Sequence, residues 1–132
     1  MNGTRIRKVA ATAIGTALLL TGMTGALATQ ASATPSAPYI GDGYPNNSHG
    51  VWCVQHLVND VAQSKGKGRP LAEDHLWGPQ TKKWVEWYQG VSGHGLGQDG
   101  IVGKGTGGWL LLDGDSYYGG HNYCYNYVPS YF

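Results

Sequence analysis

The sequence predicts a small all-α protein: a three-helix bundle with long glycine-rich loops and a disulfide-tied, tyrosine-rich C-terminal tail. Three observations predict it. Val51, Val54, Leu57, Val58 and Val61 recur at helical spacing. A second inward stripe of Trp84, Val85 and Tyr88, with Thr81 a turn earlier, follows Pro79. One pattern, Asp-x-apolar-apolar-Gly-x-x-Thr, occurs twice, at Asp74 to Thr81 and at Asp99 to Thr106, each time at the entrance of an expected helix.

The elements follow in chain order. Residues 1–33 read as a secretory signal peptide. Arg5, Arg7 and Lys8 open it, Val9 to Leu20 is an uncharged apolar run, and Ala31-Ser32-Ala33 supplies the small-x-small cleavage pattern. Gly, Thr and Ala dilute the run below a stable membrane span. Residues 34–48, with Pro35, Pro38 and Pro45, read as an extended lead-in. The first helix is expected over 51–63, and the basic Ser64 to Pro70 stretch stops it. Pro at the first helical position, which costs no hydrogen bond, starts the second helix over 79–89. A glycine-rich loop follows at 90–97. A short third helix is expected over 106–112, weakened by Gly107-Gly108. In the tail, residues 113–132, Gly119-Gly120 signals a turn, and Tyr123, Tyr125 and Tyr127 at strand period suggest a short hairpin.

The repeated pattern has a mechanical reading. Each Asp holds a turn through backbone amides, the apolar pair plugs the core, and Gly permits a tight bend. Thr then falls in the first turn of the next helix. Two copies mean two similar loop-to-helix corners packed together.

Composition narrows the function. The 132 residues carry a net charge of +1 and only 13% charged side chains. Without residues 1–33 six basic residues face eight acidic ones, a net charge of −2. That removes the phosphate attraction on which nucleic-acid binding depends, and nothing anchors the chain to a membrane after signal cleavage. Cys53 and Cys124 are the two cysteines. In an oxidising compartment they pair most simply as one disulfide. The other reading makes Cys53 a nucleophile beside His56, but it leaves Cys124 unexplained and the imidazole unoriented.

Taken together, these residues resemble the bacterial peptidoglycan-binding-domain family, a three-helix module attached to many cell-wall hydrolases. Val51-Trp52-Cys53-Val54-Gln55-His56-Leu57-Val58-Asn59 is similar to the family's opening helix. Asp74 to Thr81 matches its central corner, Tyr88-Gln89 the aromatic-Gln end of its second helix, and Asp99 to Thr106 its last corner. The resemblance covers residues 49–112. The chain departs from it where His75 replaces a Gly, Lys104 a Pro, and Gly107 a common aromatic. The tyrosine tail has no counterpart in the module. The resemblance implies binding of peptidoglycan, through its glycan or its stem peptide; with the signal peptide, the expectation is a secreted, wall-associated monomer that acts alone or beside a separate wall enzyme.

The residues give little support to catalysis. The five histidines form no His-x-His or His-Glu-x-x-His arrangement, and the ligand series at Asp113 and Asp115 is too short for a calcium loop. Glu73 and Glu86 are the only glutamates, so the facing carboxylates a glycosidase needs are scarce. No metal or cofactor is expected, and a minimal wall hydrolase is the weakest reading. For binding, Trp87 falls roughly 110° from the inward stripe of its helix, and Trp52 lies off the valine stripe of the first. Trp77 occupies a plug position. The expected site is a shallow surface near Asp74 and Asp99, flanked by Trp87 and Gln89, with Trp52 a further candidate. A rival reading gives binding to the tail, where Tyr117, Tyr118, Tyr123, Tyr125, Tyr127 and Tyr131 offer rigid area to a protein partner.

Overall fold

A computed structural model describes residues 37–132; the expected signal peptide and the start of the lead-in lie outside them. Among the described residues three α-helices follow in order, α1 Ser48–Ser64, α2 Pro79–Val91 and α3 Lys104–Asp113, and then a 3-10 turn at Tyr123–Asn126. Helix α1 starts three residues earlier than the valine period indicates. Asn47 caps it: its side-chain oxygen accepts from the backbone N–H groups of His49 at 3.0 Å and Gly50 at 3.2 Å. Helix α1 is the central element. Val51, Val54, Leu57 and Val58 are fully buried, and α2, α3 and the 3-10 turn all pack on it.

Helix α2 begins at Pro79, as its sequence indicates, and buries Thr81, Val85, Tyr88 and Gln89. Gln89 rather than Trp84 completes the stripe. The expected split of Trp84 inside and Trp87 outside is therefore replaced by two half-buried indoles, packed edge to face at 5.0 Å. Helix α3 is longer than expected at both ends. Its Gly107-Gly108 pair is no defect, because the returning tail lies on it. A Cβ at Gly107 would overlap the Pro129 carbonyl oxygen, and one at Gly108 would touch the Phe132 ring at 3.5 Å.

The tail corrects the expected hairpin. Tyr123, Tyr125 and Tyr127 form no strand; Tyr127 and Val128 both donate to the Cys124 carbonyl at 3.0 Å, closing a 3-10 turn. The turn delivers Cys124, fully buried, to Cys53 on α1, and the two form the expected disulfide with a Cα–Cα distance of 5.7 Å. It closes 71 residues of chain, which in the chain-entropy account stabilises the fold by about 4 kcal/mol. Val128 follows into the core at 1% exposure. At the other end Ile40, equally buried, exchanges two backbone hydrogen bonds with Val102 at 3.1 and 2.8 Å. Among the described residues this is the one extended pairing. The described part of the lead-in, the helices and the tail thus close one unit.

Candidate functional site

The two repeated corners are built alike, each around a glutamine from the preceding helix. At the first corner the Gln55 side-chain amide donates to Asp74 Oδ1 (3.0 Å), the Leu76 carbonyl (3.0 Å) and Thr81 Oγ1 (3.1 Å). Its oxygen accepts the His75 backbone N–H at 3.1 Å. At the second, Gln89 Nε2 donates to Asp99 Oδ1 (3.0 Å), the Ile101 carbonyl (3.0 Å) and Thr106 Oγ1 (3.1 Å), and its oxygen accepts from Gly100 at 2.9 Å. Both Asp side chains also accept the N–H two residues on, as the sequence indicates. The Leu76 N–H and the Gln55 amide hold the Asp74 carboxyl below its ordinary range. The residue after each Asp has positive φ: 72° at Gly100, and 69° at His75, where a side chain must bear it.

The lead-in makes the two corners unequal. Ile40 pairs with Val102 of the second corner, the Tyr39 ring lies over Gly103, and Gly41 packs on Ile101. At the first corner the equivalent of half-buried Ile101 is Leu76, which is 70% exposed. An open groove of about 210 Å³ runs beside it, lined by Gln55, 71–72, Asp74 and 76–81. Trp77 is half-buried there, with its indole N–H donating to Asp42 Oδ1 at 2.9 Å. Its buried base holds Leu71 between the polar Gln55 and Thr81, and its sides carry the apolar Leu76, Trp77 and Pro79 and the Asp74 carboxylate, a lining suited to a small polar ligand with an apolar face.

Beside the groove runs a ladder of rings. Trp52 stacks on His56 at 4.9 Å and meets His75 at 6.2 Å and Tyr118 at 5.1 Å. His49 stacks on Tyr127 at 5.0 Å, and its Nδ1 lies 2.9 Å from the Tyr123 hydroxyl. Below it His56 sits in an ion network. Its Nδ1 is 3.1 Å from Glu73 Oε1; its Nε2 is 2.6 Å from Asp115 Oδ2 and 3.6 Å from Asp60 Oδ2. Arg69 bridges Asp60 at 2.7 Å and Glu73 at 2.8 Å. Burial opposes charge on His56, but the hydrogen bonds to Glu73 and Asp115 and the charges of Asp60 and Glu73 outweigh it and raise its pKa. Burial also disfavours the Glu73 carboxylate, yet Asn59, Arg69 and His56 together hold its pKa down.

Ligand atoms of His56, Asp60 and Asp115 lie within 4.8 Å of one another. Each is already matched within the protein, however, and the Arg69 guanidinium brings its own positive charge to the group. The set is satisfied as an ion network rather than as a cation site.

Of the residues expected to bind, Asp74 borders the open groove and Trp52 heads the ladder beside it. Gln89 corrects its expected role: at 3% exposure, with its amide spent on the second corner, it has nothing to offer a ligand. Asp99 is exposed and engaged as Asp74 is, by its glutamine and its turn N–H, but it lies at the corner where the lead-in pairs with Val102. Trp87 lies eight residues into α2, about 12 Å along its axis from Pro79, and lines no part of the groove. Trp77 is half-buried, packs against the core and also lines the groove. Sequence reasoning missed Gln55 as the key of the first corner and missed the His56 network, although His56 and Asp60 stand four residues apart on α1, the spacing of a salt bridge on a helix face. Cys53, bonded to Cys124, is no nucleophile.

No family model, curated protein or solved structure matches the chain.

Proposed function

We propose that this is a secreted, non-catalytic cell-wall protein that binds peptidoglycan in the groove at the first corner. The observation that carries the reading is the asymmetry of the two corners. The same Gln–Asp–Thr construction is built twice; the lead-in pairs with one copy through Ile40 and touches the other through Asp42 on Trp77, leaving Leu76 70% exposed beside the Asp74 carboxylate. Leu76 and Trp77 supply an apolar surface for a sugar ring or an alanine-rich peptide, and the rim supplies hydrogen bonds. The resemblance over residues 49–112 points to the same ligand. Among the described residues there is a disulfide and no helix long and apolar enough to cross a membrane, which accords with export.

Co-sedimentation with purified cell walls tests the reading. The protein should pellet with walls and be released by soluble muropeptides. Leu76→Ala, at a site that supports no packing, should weaken pelleting about tenfold with an unchanged far-UV spectrum. Trp87→Ala should pellet as wild type. Loss with Trp87→Ala and none with Leu76→Ala would move the site to α2.

A second reading has its own observation. Trp109, Leu112, Tyr131 and Phe132 are exposed and, with Lys104, Gly105 and Gly108, line an apolar groove of about 340 Å³ on α3. Such a surface suits a protein partner. Removing 113–132 would open the core at Cys124 and Val128, so the clean test is Tyr131→Ala. If it abolishes wall binding while Leu76→Ala does not, the tail is the binding element.

A further inference from the structure

We propose that His56 is a positioning residue for the groove at the first corner, and that its protonated form pins the 71–74 wall so that ligand capture strengthens in acid. The inference rests on the wall-binding reading above. Its geometric basis is that both ring nitrogens face carboxylates, Nδ1 towards Glu73 at 3.1 Å and Nε2 towards Asp115 at 2.6 Å. A neutral imidazole carries one N–H and would turn a lone pair to one of these oxygens; the cation donates to both.

Charged groups face the ring from every packed element: Asp60 from α1, Arg69 and Glu73 from the loop, and Asp115 from the tail. The hydroxyl-bearing ring of Tyr118 meets it edge-on at 4.7 Å. Arg69 Nη2, 3.2 Å from Nδ1, opposes the charge, while the stacked Trp52 ring favours it. With His56 neutral, three carboxylates face a single guanidinium.

The link to the groove is short. Segment 71–74 is fastened to α1 directly by three side chains, and indirectly by Arg69, which bridges Glu73 to Asp60. Asn59 holds the Leu71 N–H and carbonyl and Glu73 Oε2; Gln55 holds Asp74; His56 holds Glu73 Oε1. The two amides do not titrate, so His56 is the pH-dependent fastener. Because its folded pKa is raised, its contribution is whole below the ordinary imidazole value and is lost as pH rises through the folded one.

Two measurements decide it on the intact protein. In the first, NMR follows the His56 ring and the exchange protection of the His75 and Leu76 amides across the titration. His56 should titrate above an ordinary histidine, and protection should fall about three- to tenfold as it deprotonates, the loss of one net hydrogen bond. Protection that stays constant would overturn the proposal. In the second, wall sedimentation is compared at about pH 5.5 and about pH 8.5, either side of the imidazole range. Wild type should bind several-fold better in acid, His56→Gln weakly at both, and His56→Lys equally at both. Should nothing pellet at either pH, the wall reading falls while the exchange measurement still decides the clamp. Equimolar Zn²⁺ that raises the melting temperature and erases the pH dependence would overturn the clamp in favour of a metal site.

Discussion

The Gln55 amide lies 3.0 Å from Asp74 Oδ1, and 34 residues later in the sequence Gln89 meets Asp99 at the same distance. Each glutamine is a buried plug, 1% and 3% exposed, that satisfies a turn's acceptors and donor at once. The corners therefore depend on side-chain hydrogen bonds where most loops depend on solvent.

Removing a plug should cost more than its size. Gln55→Ala and Gln89→Ala each strand a buried threonine hydroxyl, a carbonyl and a turn N–H, and each stranded group carries a penalty of roughly 1–3 kcal/mol. Water entering the vacated space repays part of it, leaving an expected loss of about 3 kcal/mol in urea unfolding for either variant. A loss below about 1 kcal/mol would mean that the corners hold themselves without the plug.

Positive φ gives opposite signs at the two corners. His75 bears 69° with a side chain, a conformation that costs of order 1 kcal/mol. His75→Gly relieves that strain but loses the contact with Trp52 and the 3.2 Å approach of Nδ1 to the Ser48 carbonyl. The expected net is a gain of about 0.5 kcal/mol. Gly100→Ala puts a Cβ 2.8 Å from Lys82 Cγ at φ 72°, so it should lose at least about 1 kcal/mol. Thermal midpoints of the two variants should move in opposite directions.

The Gly107-Gly108 pair binds the tail, and Gly107→Ala should unseat it. The new methyl would overlap the Pro129 carbonyl and crowd Val128 at 2.9 Å. Neither can retreat while Cys124, four residues before Val128, is stapled to α1. The expected cost is about 2 kcal/mol. Limited proteolysis should cut after Tyr125 or Tyr127 in the variant and leave wild type intact; equal resistance would show that the tail can shift at little cost.

Periodicity made the helices legible, and the repeated motif made the corners legible, since both are local patterns. What joins them was not. Gln55 and Asp74 are 19 residues apart but Gln89 and Asp99 only 10, so unequal loops hide one construction in two spacings, and Gln89 reads as a surface residue. His56 has Asp60 one helical turn on, but its two hydrogen-bonded carboxylates stand 17 and 59 residues away, beyond any helical period. The tyrosines at 123, 125 and 127 have strand period, but a buried disulfide at Cys124 overrides it. Which corner stays open depends on Ile40, whose pairing with Val102 no spacing announces.

The acid side of the stability curve tests the other half of the His56 network. Burial opposes the charge of Asp115, but the hydrogen bond with Asp60, the Tyr118 N–H and the His56 ring outweigh it and hold its carboxyl at about 2. Asp60 goes the other way: burial and its neighbour Asp115 raise it against the pull of Arg69. A depressed carboxyl stabilises above its unfolded value, 3.8 here, and loses that contribution as pH falls towards its folded value. Protonating Asp60 relieves repulsion over the upper part of the same range, so the two partly cancel. The Asp115 side chain is 36% exposed, and after screening by solvent its share is about 1 kcal/mol. The urea midpoint should therefore fall between about pH 4 and pH 2, the window set by the two carboxyl values. Asp115→Asn should start lower at neutral pH and fall less steeply in acid. It should also weaken the alkaline decline, because His56 loses an anionic partner and its pKa drops towards the ordinary value. A variant that flattens the acid limb but leaves the alkaline limb unchanged would show that Asp115 and His56 titrate independently despite their 2.6 Å separation.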